Sequence, residues 1–463
     1  MASIFQWTEV HGGKTPPPGE SVGPHERMSW GRTIGIGVQH VVAMFGATFV
    51  FPVVMGLDPN LAILFSGLMT ILFLVIVKNW VPSYLGTSAA FVGVVAAIRA
   101  QGGDSADVTG AIMAAGIVMA LVGVMVHFAG PGMLKKVLPP AVTGAVVMLI
   151  GFNLAPVVAN VYWPQDQWIA ILTTLFLVVG AVLFPGFWAR IAVFLGLVFG
   201  FAASWIADLV FGPITSVTPT SGGEAIAHDR VNLAGLGDAA WFGLPSGQLA
   251  DGVNAIHGPS FSFVFVLLAL PGVIALIAEN TGHVRAVAEM TGDDLDPYMG
   301  RALGADGLAT AIASSVGASP TTTYAENIGV MSATRIYSTA AYYVAAIVAI
   351  ILGLVPKFGV VINAIPGGVL GGITVVLYGM IGLIGAKIWV DNRVDFGNPV
   401  NIVPLAAGLI VGIGDVTLNI TDDFQLSGIA FGTILVVALY HMVKGKAHDI
   451  DTKPAEETDP TYT

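Results

Sequence analysis

Residues 319–335 read SPTTTYAENIGVMSATR: a proline and three threonines, one carboxylate at Glu326 and a closing arginine. The chain on either side is apolar and helix-like, but this stretch is too polar and too short for an ordinary membrane-spanning helix. Non-helical backbone is tolerated at membrane depth only where protein buries it or where it lines a cavity, and a carboxylate there is costly enough to suggest function. The stretch therefore marks a candidate binding site within a membrane domain.

Composition supports that setting. Of 463 residues, 55% are hydrophobic and 10% charged, with a mean hydropathy of +0.82; a soluble domain carries roughly 25% charged residues. The expected fold class is an all-α polytopic membrane protein in contact with a lipid bilayer. With no cysteine in the chain, disulfides, thiol catalysis and cysteine-ligated metal are excluded. A net charge of −11 argues against nucleic acid as a partner. Residues 1–31 form a polar, proline-rich N-terminal tail without the basic-then-apolar pattern of a cleavable signal, and 444–463 read as a charged, disordered C-terminal tail.

A crossing helix needs about 20 mainly apolar residues. Applied along the chain, this rule predicts fourteen spans, at 32–52, 60–78, 84–100, 109–129, 137–160, 168–184, 190–211, 262–284, 302–317, 322–336, 338–356, 366–388, 400–418 and 424–443. The third and tenth are short and interrupted. Cytoplasmic connections are expected to be rich in Lys and Arg. With the N-terminus inside, fifteen of the eighteen basic residues fall on the cytoplasmic side, and only Arg99, Arg230 and Lys357 fall outside. Dropping one span midway would move the downstream basic clusters to the wrong side. Both termini are thus expected in the cytoplasm.

The long polar connection 212–260 lies outside in this scheme and divides the chain into two halves of seven spans. Seven is odd, so the second half enters from the opposite side, as an inverted repeat requires. Spans 3 and 10 then hold equivalent places. Residues 82–91, PSYLGTSAAF, and 319–328, SPTTTYAENI, both set Pro, Ser or Thr and an aromatic ahead of an apolar helical run. Paired interrupted segments of this kind point to a binding site near the bilayer midplane.

The ionisable residues singled out within the spans are Glu279, with His283 one turn later on the same face, Glu326, and His40 preceded by Gln39. A carboxylate at the centre of a membrane helix costs about 2.5–3.5 kcal/mol on insertion scales, so two are hard to retain as packing alone. A histidine is easier to explain structurally, since it can bond a neighbouring carbonyl or hydroxyl. His127 and Asp208 lie near span ends and receive no role. Two carboxylates beside broken helices that expose backbone N–H and C=O groups suit a planar ligand with alternating donor and acceptor edges, its faces covered by aromatics such as Phe91 and Tyr324. An anion would be repelled by the carboxylates unless they were protonated. Metal is a poorer match, because hard cations want more oxygen ligands and soft ones want Cys or clustered His. Glu279 or Glu326 is a plausible proton carrier. No nucleophile–base motif or cofactor fingerprint supports an enzyme.

The run Glu326-Asn327-Ile328-Gly329 followed by Thr334-Arg335 resembles the signature of the nucleobase/ascorbate transporter family, and TTTYAENIGVMSATRIYS is similar to the version in its bacterial uracil permeases. Gln39-His40 in GVQHVVAMFGATFVFP, the YLGTSAAF run and the AENTGH run resemble further family segments. The resemblance covers nearly all the spans in order. It implies a core domain (32–133, spans 1–4, and 261–362, spans 8–11) and a gate domain (134–211, spans 5–7, and 363–443, spans 12–14). Spans 3 and 10 would each begin as a short strand, the two strands pairing antiparallel at the substrate.

Carried over by position, Glu279 and Glu326 would bind the base, with backbone near Phe91 and Ala325 completing its edge and Tyr324 nearby. His283, with Glu279, would serve proton coupling, while Gln39, His40 and Asn327 would support the site. The implied function is import of uracil by proton symport across the bacterial plasma membrane, without cofactor or metal, by a homodimer joined through the gate. The alternatives are a permease for purines or other nucleobases, and an anion exchanger or channel of the same architecture. Asn280 and Ala325 depart from the uracil-permease pattern, which often has His and Gly there.

Overall fold

The computed structural model describes residues 5–218, 224–421, 424–426 and 428–444; the predicted tail beyond Lys444 lies outside the described residues. Fourteen of the helices among the described residues carry the architecture. They are α1 Trp30–Met55, α2 Pro59–Ile76, α3 Val92–Ala100, α4 Ser105–Ala129, α5 Pro140–Asn153, α6 Gln167–Leu183, α7 Ala192–Phe211, α8 Phe263–Thr291, α9 Asp296–Ser314, α10 Ala325–Thr334, α11 Thr339–Gly353, α12 Gly367–Asp391, α13 Pro399–Ile413 and α14 Gly428–Lys444. Each predicted span overlaps one of them. Among the described residues seven helices are long and apolar enough to cross a bilayer, and an eighth qualifies if α11 is joined to the short helix Pro356–Asn363 across an 82° bend. α6, α13 and α14 are apolar but shorter.

Local chemistry sets the helix boundaries. Asp58 accepts from Leu61 N ahead of Pro59 at the start of α2, and Asp104 and Asp107 form a reciprocal capping box on α4. Asp166 accepts from Trp168 N and Ile169 N at the start of α6. α1 ends at Gly56, whose φ of 69° is in the left-handed region that glycine enters freely.

Helices approach closely where side chains are small, as expected where lipid supplies no hydrophobic drive between helices. A methyl on Gly123 of α4 would lie 2.1 Å from Gly304 N of α9, and one on Gly67 of α2 would lie 2.4 Å from Ala346 O of α11. α4 packs on α9 and α8, and α11 on α2 and α1; a second cluster joins α5 to α12 and α13, α6 to α7 and α12, and α13 to α14. The clusters meet along α1–α7, α8–α5, α8–α14 and α3–α14.

The N-terminal segment, read as a tail, is folded against the bundle. Thr8–Glu9 pairs with Glu26–Arg27, and Val22 bridges to Ile336 just beyond α10. Val22, Met28 and Ile336 bury one another in a small apolar cluster, and Trp7 Nε1 donates to Thr339 Oγ1 at 2.8 Å.

Candidate functional site

The two interrupted stretches meet in the interior. β1 Leu85–Thr87 and β2 Thr321–Thr323 pair antiparallel, with Leu85 opposite Thr323, Gly86 opposite Thr322 and Thr87 opposite Thr321. Backbone bonds extend the pairing on both sides, from Ser88 N to Pro320 O (2.9 Å) and from Tyr324 N to Tyr84 O (3.0 Å). Strands this short need external support, and a threonine on a neighbouring helix supplies it in each case. Thr70 Oγ1 of α2 accepts from Leu85 N at 2.9 Å, and Thr310 Oγ1 of α9 accepts from Thr321 N at 3.2 Å while donating to Thr321 O at 2.8 Å. Gly86 is required by close approach, because a Cβ there would stand 2.3 Å from Cζ of Tyr324.

Each strand leads into a helix whose N-terminus begins at the crossing. Ser88 accepts from Ala90 N before α3, whereas Tyr324, the N-cap residue of α10, makes no side-chain cap bond. Free N–H groups of a first turn form a ready donor surface. Acidic groups gather beside it. Glu279 comes from α8, as does the neutral amide Asn280, Asp306 from α9 and Glu326 from the first turn of α10. Thr322 Oγ1 sits between Glu279 Oε2 and Asp306 Oδ2, at 3.5 and 3.4 Å, and Asn280 Nδ2 donates to Asp306 Oδ2 at 3.1 Å. His283 Nδ1 and Thr323 Oγ1 share a 2.8 Å hydrogen bond.

Asp306 is fully buried and did not figure among the candidates read from the sequence. It is the one ionisable residue in the predicted span 302–317, so the scan that found Glu279 could also have found it.

The other candidates divide by environment. Glu279, His283 and Glu326 are half-buried and Ala325 is exposed, whereas Phe91 and Tyr324 are buried in protein. Phe91 packs on Gly272 of α8. The Tyr324 hydroxyl donates to Thr87 O at 2.8 Å and accepts from Thr48 Oγ1 at 3.1 Å, so it ties the two stretches together across the crossing. Asn327 Nδ2 donates to His40 O at 3.0 Å and lies 3.1 Å from His40 Nδ1, bracing α10 on α1; Gln39 is half-buried next to His40. Among the described residues no group of three or more His, Cys, Asp or Glu is placed to hold a metal ion.

The two half-helices differ in how closely they are packed. α3 is buried from Val92 to Val95, and a methyl on Gly93 would meet Ile429 Cδ1 of α14 at 2.3 Å. On the opposite side α10 exposes Ala325, Ser332 and Ala333, and a methyl on Gly282 or Gly329 would meet no atom within 4 Å. The exposed positions lie along α10 and at Gly282 of α8, on the helices that carry Glu279, His283 and Glu326. Two half-helices that meet at a buried strand crossing inside a multi-pass bundle, with polar groups open to one side, are the arrangement of a transporter rather than an enzyme.

The chain belongs to the permease family, the nucleobase/ascorbate transporters, whose profile matches residues 31–421. It is 42% identical over 446 residues to the putative pyrimidine permease RutG of Escherichia coli (strain K12), covering 95% of this chain and 96% of that protein. It is 34% identical over 431 residues to the uracil permease of Bacillus caldolyticus (91% and 94% covered), and 35% identical over 457 residues to the uracil permease of Escherichia coli (strain K12) (95% and 99%). In fold it is similar to SLC26A9, with a TM-score of 0.57 at 14% identity over 89% of this chain and 64% of that one. It is also similar to the transmembrane domain of the cyanobacterial bicarbonate transporter BicA, with a TM-score of 0.54 at 14% identity over 88% and 96%. At that identity the likeness concerns architecture and not substrate.

Proposed function

We propose that this multi-pass membrane protein imports uracil, or a closely related neutral pyrimidine base, together with a proton. The observation that carries the reading is the pair Glu279 and Glu326, set half-buried beside the strand crossing at the open N-terminus of α10. A carboxylate accepts from a ring N–H, and free backbone N–H groups donate to a ring carbonyl, so the base is held by its edge. Relatives named as uracil and pyrimidine permeases, matched over nearly their whole length, favour this substrate over an anion.

In this reading Glu279 and Glu326 bind the base, and backbone near Phe91 and Ala325 completes the edge contacts. Tyr324 acts indirectly by holding the crossing. His283, linked to β2 through Thr323, and Glu279 serve proton coupling; Asn327, His40 and Gln39 support α10. One charge moving through 100 mV supplies about 2.3 kcal/mol, enough for roughly 50-fold accumulation of a neutral solute.

The fourteen helices are read as fourteen crossings in two inverted halves, with both termini cytoplasmic. Two observations support this. Advancing each helix by seven turns the contact α2–α11 into α9–α4, α1–α11 into α8–α4, and α6–α7 into α13–α14. The same operation turns the Thr70–Leu85 clamp into Thr310–Thr321, and Gly86 and Thr322, which are equivalent, lie opposite one another. α1–α4 with α8–α11 would form the core, α5–α7 with α12–α14 a gate that also joins two copies, and the core would move against the gate. The site then opens to the cytoplasm.

Radiolabelled uracil uptake into proteoliposomes, with unlabelled bases as competitors, tests the reading. Saturable uptake competed by pyrimidines supports it; displacement only by purines, or uptake of an inorganic anion without uracil binding, overturns it.

A further inference from the structure

Of the three basic residues that broke the charge pattern, Arg230 belongs to the connection 212–260, and Arg99 and Lys357 bond to it. Arg230 inserts between two gate carboxylates: Nε donates to Asp166 Oδ2 at 2.7 Å and Nη1 to Asp208 Oδ1 at 3.0 Å. The three side chains are only 12%, 5% and 11% exposed, and Val231 N adds a bond to Asp208 Oδ2 at 3.0 Å. Asp166 caps α6 and Asp208 belongs to the last turns of α7, so this anchor grips two gate helices at once.

The segment then crosses to the other cluster. Lys357 Nζ, on the short helix after α11, donates to Leu236 O at 2.5 Å, and Gly243 N donates to Leu354 O at 3.0 Å. Farther on, Asp251 Oδ2 accepts from Arg99 Nη1 (2.5 Å), Ser105 N (2.7 Å) and Ser105 Oγ (2.7 Å), joining the end of α3 to the start of α4. Burial pushes the Asp251 carboxyl up, but the bonds from Ser105 and Arg99 prevail and hold it at about 2. Only Asn232–Gly235 separates the gate anchor from the Lys357 contact, and the turn bonds Leu236 N to Leu233 O and Ala239 N to Gly235 O take up slack. A span of so few residues cannot absorb a large displacement without releasing one end or unwinding the turn.

We propose that Arg230–Ser260 is a clasp across the outer face, and that Arg230 and Asp251 are positioning residues that bias the transporter toward the state in which α3 is sealed against α14. The proposal rests on the core-against-gate reading above and adds what holds the outer side shut. Because the hydrogen-bond partners of Arg230 and Asp251 do not include the strand crossing, Glu279, His283 or Glu326, loosening either changes which side is open without altering the groups offered to a ligand.

The chain has no cysteine, so a single introduced thiol reports alone. Ile429→Cys places it at the sealed contact with Gly93. In spheroplasts treated with a membrane-impermeant maleimide, Arg230→Met and Asp251→Asn in this background are each expected to raise the labelling rate about tenfold or more, the equivalent of one charge-assisted hydrogen bond. Arg230→Lys is expected to restore the slow rate. Labelling within twofold of the parent for both variants in folded protein overturns the clasp; if Arg230→Met fails to fold, Asp251→Asn decides. Uracil binding by the otherwise unaltered protein is measured in parallel. Its absence would remove the substrate assignment while leaving the labelling result interpretable.

Discussion

Asn280 Nδ2 stands 3.1 Å from Asp306 Oδ2, and both residues are completely buried, one on α8 and the other on α9. Thr322 of β2 reaches the same carboxylate oxygen, so the strand at the candidate site is tied to two helices through one acid. Asn280 departs from the expected histidine, and here it serves as the donor that makes a buried Asp306 tolerable.

Replacing Asp306 with Ala strips Asn280 and Thr322 of their shared acceptor. Leaving buried donors unsatisfied costs about 1–3 kcal/mol. The thermal midpoint of the purified protein in detergent should fall, and an Asn280→Ala, Asp306→Ala double variant should lose less than the sum of the single losses. Strict additivity would show that the two side chains do not act as a pair.

Glu326→Gln keeps the shape of the first turn of α10 and removes the charged acceptor. Loss of a hydrogen bond to a charged group, about 1.5–3 kcal/mol, corresponds to roughly tenfold to a hundredfold weaker uracil binding. Equilibrium binding with labelled uracil checks it; near-parent affinity would remove Glu326 from the site.

Gly86→Ala puts a methyl 2.3 Å from the Tyr324 ring, at the centre of the strand crossing. Overpacking of this kind costs about 1–3 kcal/mol and here would displace β1 from β2. Uracil binding should drop sharply while membrane insertion persists, measured by binding on protein quantified in the membrane fraction. Unchanged binding would mean that the crossing does not shape the site.

His283→Leu breaks the bond to Thr323. Accumulation driven by an imposed pH gradient should fall further than equilibrium binding. A protonophore should abolish accumulation by the parent protein, and exchanging sodium for potassium should leave it unchanged; a requirement for sodium would overturn proton coupling.

Asp251 yields a prediction about pH. Its folded value of about 2 lies below the ordinary 3.8, so its stabilisation is complete above the ordinary value and is lost only as pH falls through the folded one. The difference in thermal midpoint between the parent and Asp251→Asn should therefore stay constant from about pH 5 to 8. A difference that disappears within that window would mean Arg99 and Ser105 do not hold the carboxylate ionised.

Much of the candidate site was legible because its chemistry is conspicuous in an apolar chain. Glu279, His283 and Glu326 stand out where ionisable groups are rare, and the Pro–Thr runs at 82–91 and 319–328 interrupt helical patterns at matching places. Thr70 and Thr310 gave no such signal, since a threonine within a helix is ordinary until a strand end is seen against it. Tyr324 stands out in the sequence for its ring, whereas the engagement of its hydroxyl by Thr87 and Thr48 emerges only from the fold. The N-terminal segment read as a tail because its partners, Ile336 and Thr339, lie more than 300 residues away.

Hydropathy and the rarity of charge, which act residue by residue, determined by sequence alone that this is a helical membrane protein, where its helices run and that Glu279 and Glu326 are candidate site residues. Tertiary structure decided what lies opposite what: Gly86 against Thr322, Asn280 against Asp306, and Arg230 between Asp166 and Asp208. A hydrogen bond depends on distances of a few tenths of an ångström between residues far apart in the chain, and only the folded packing of the helices sets those distances.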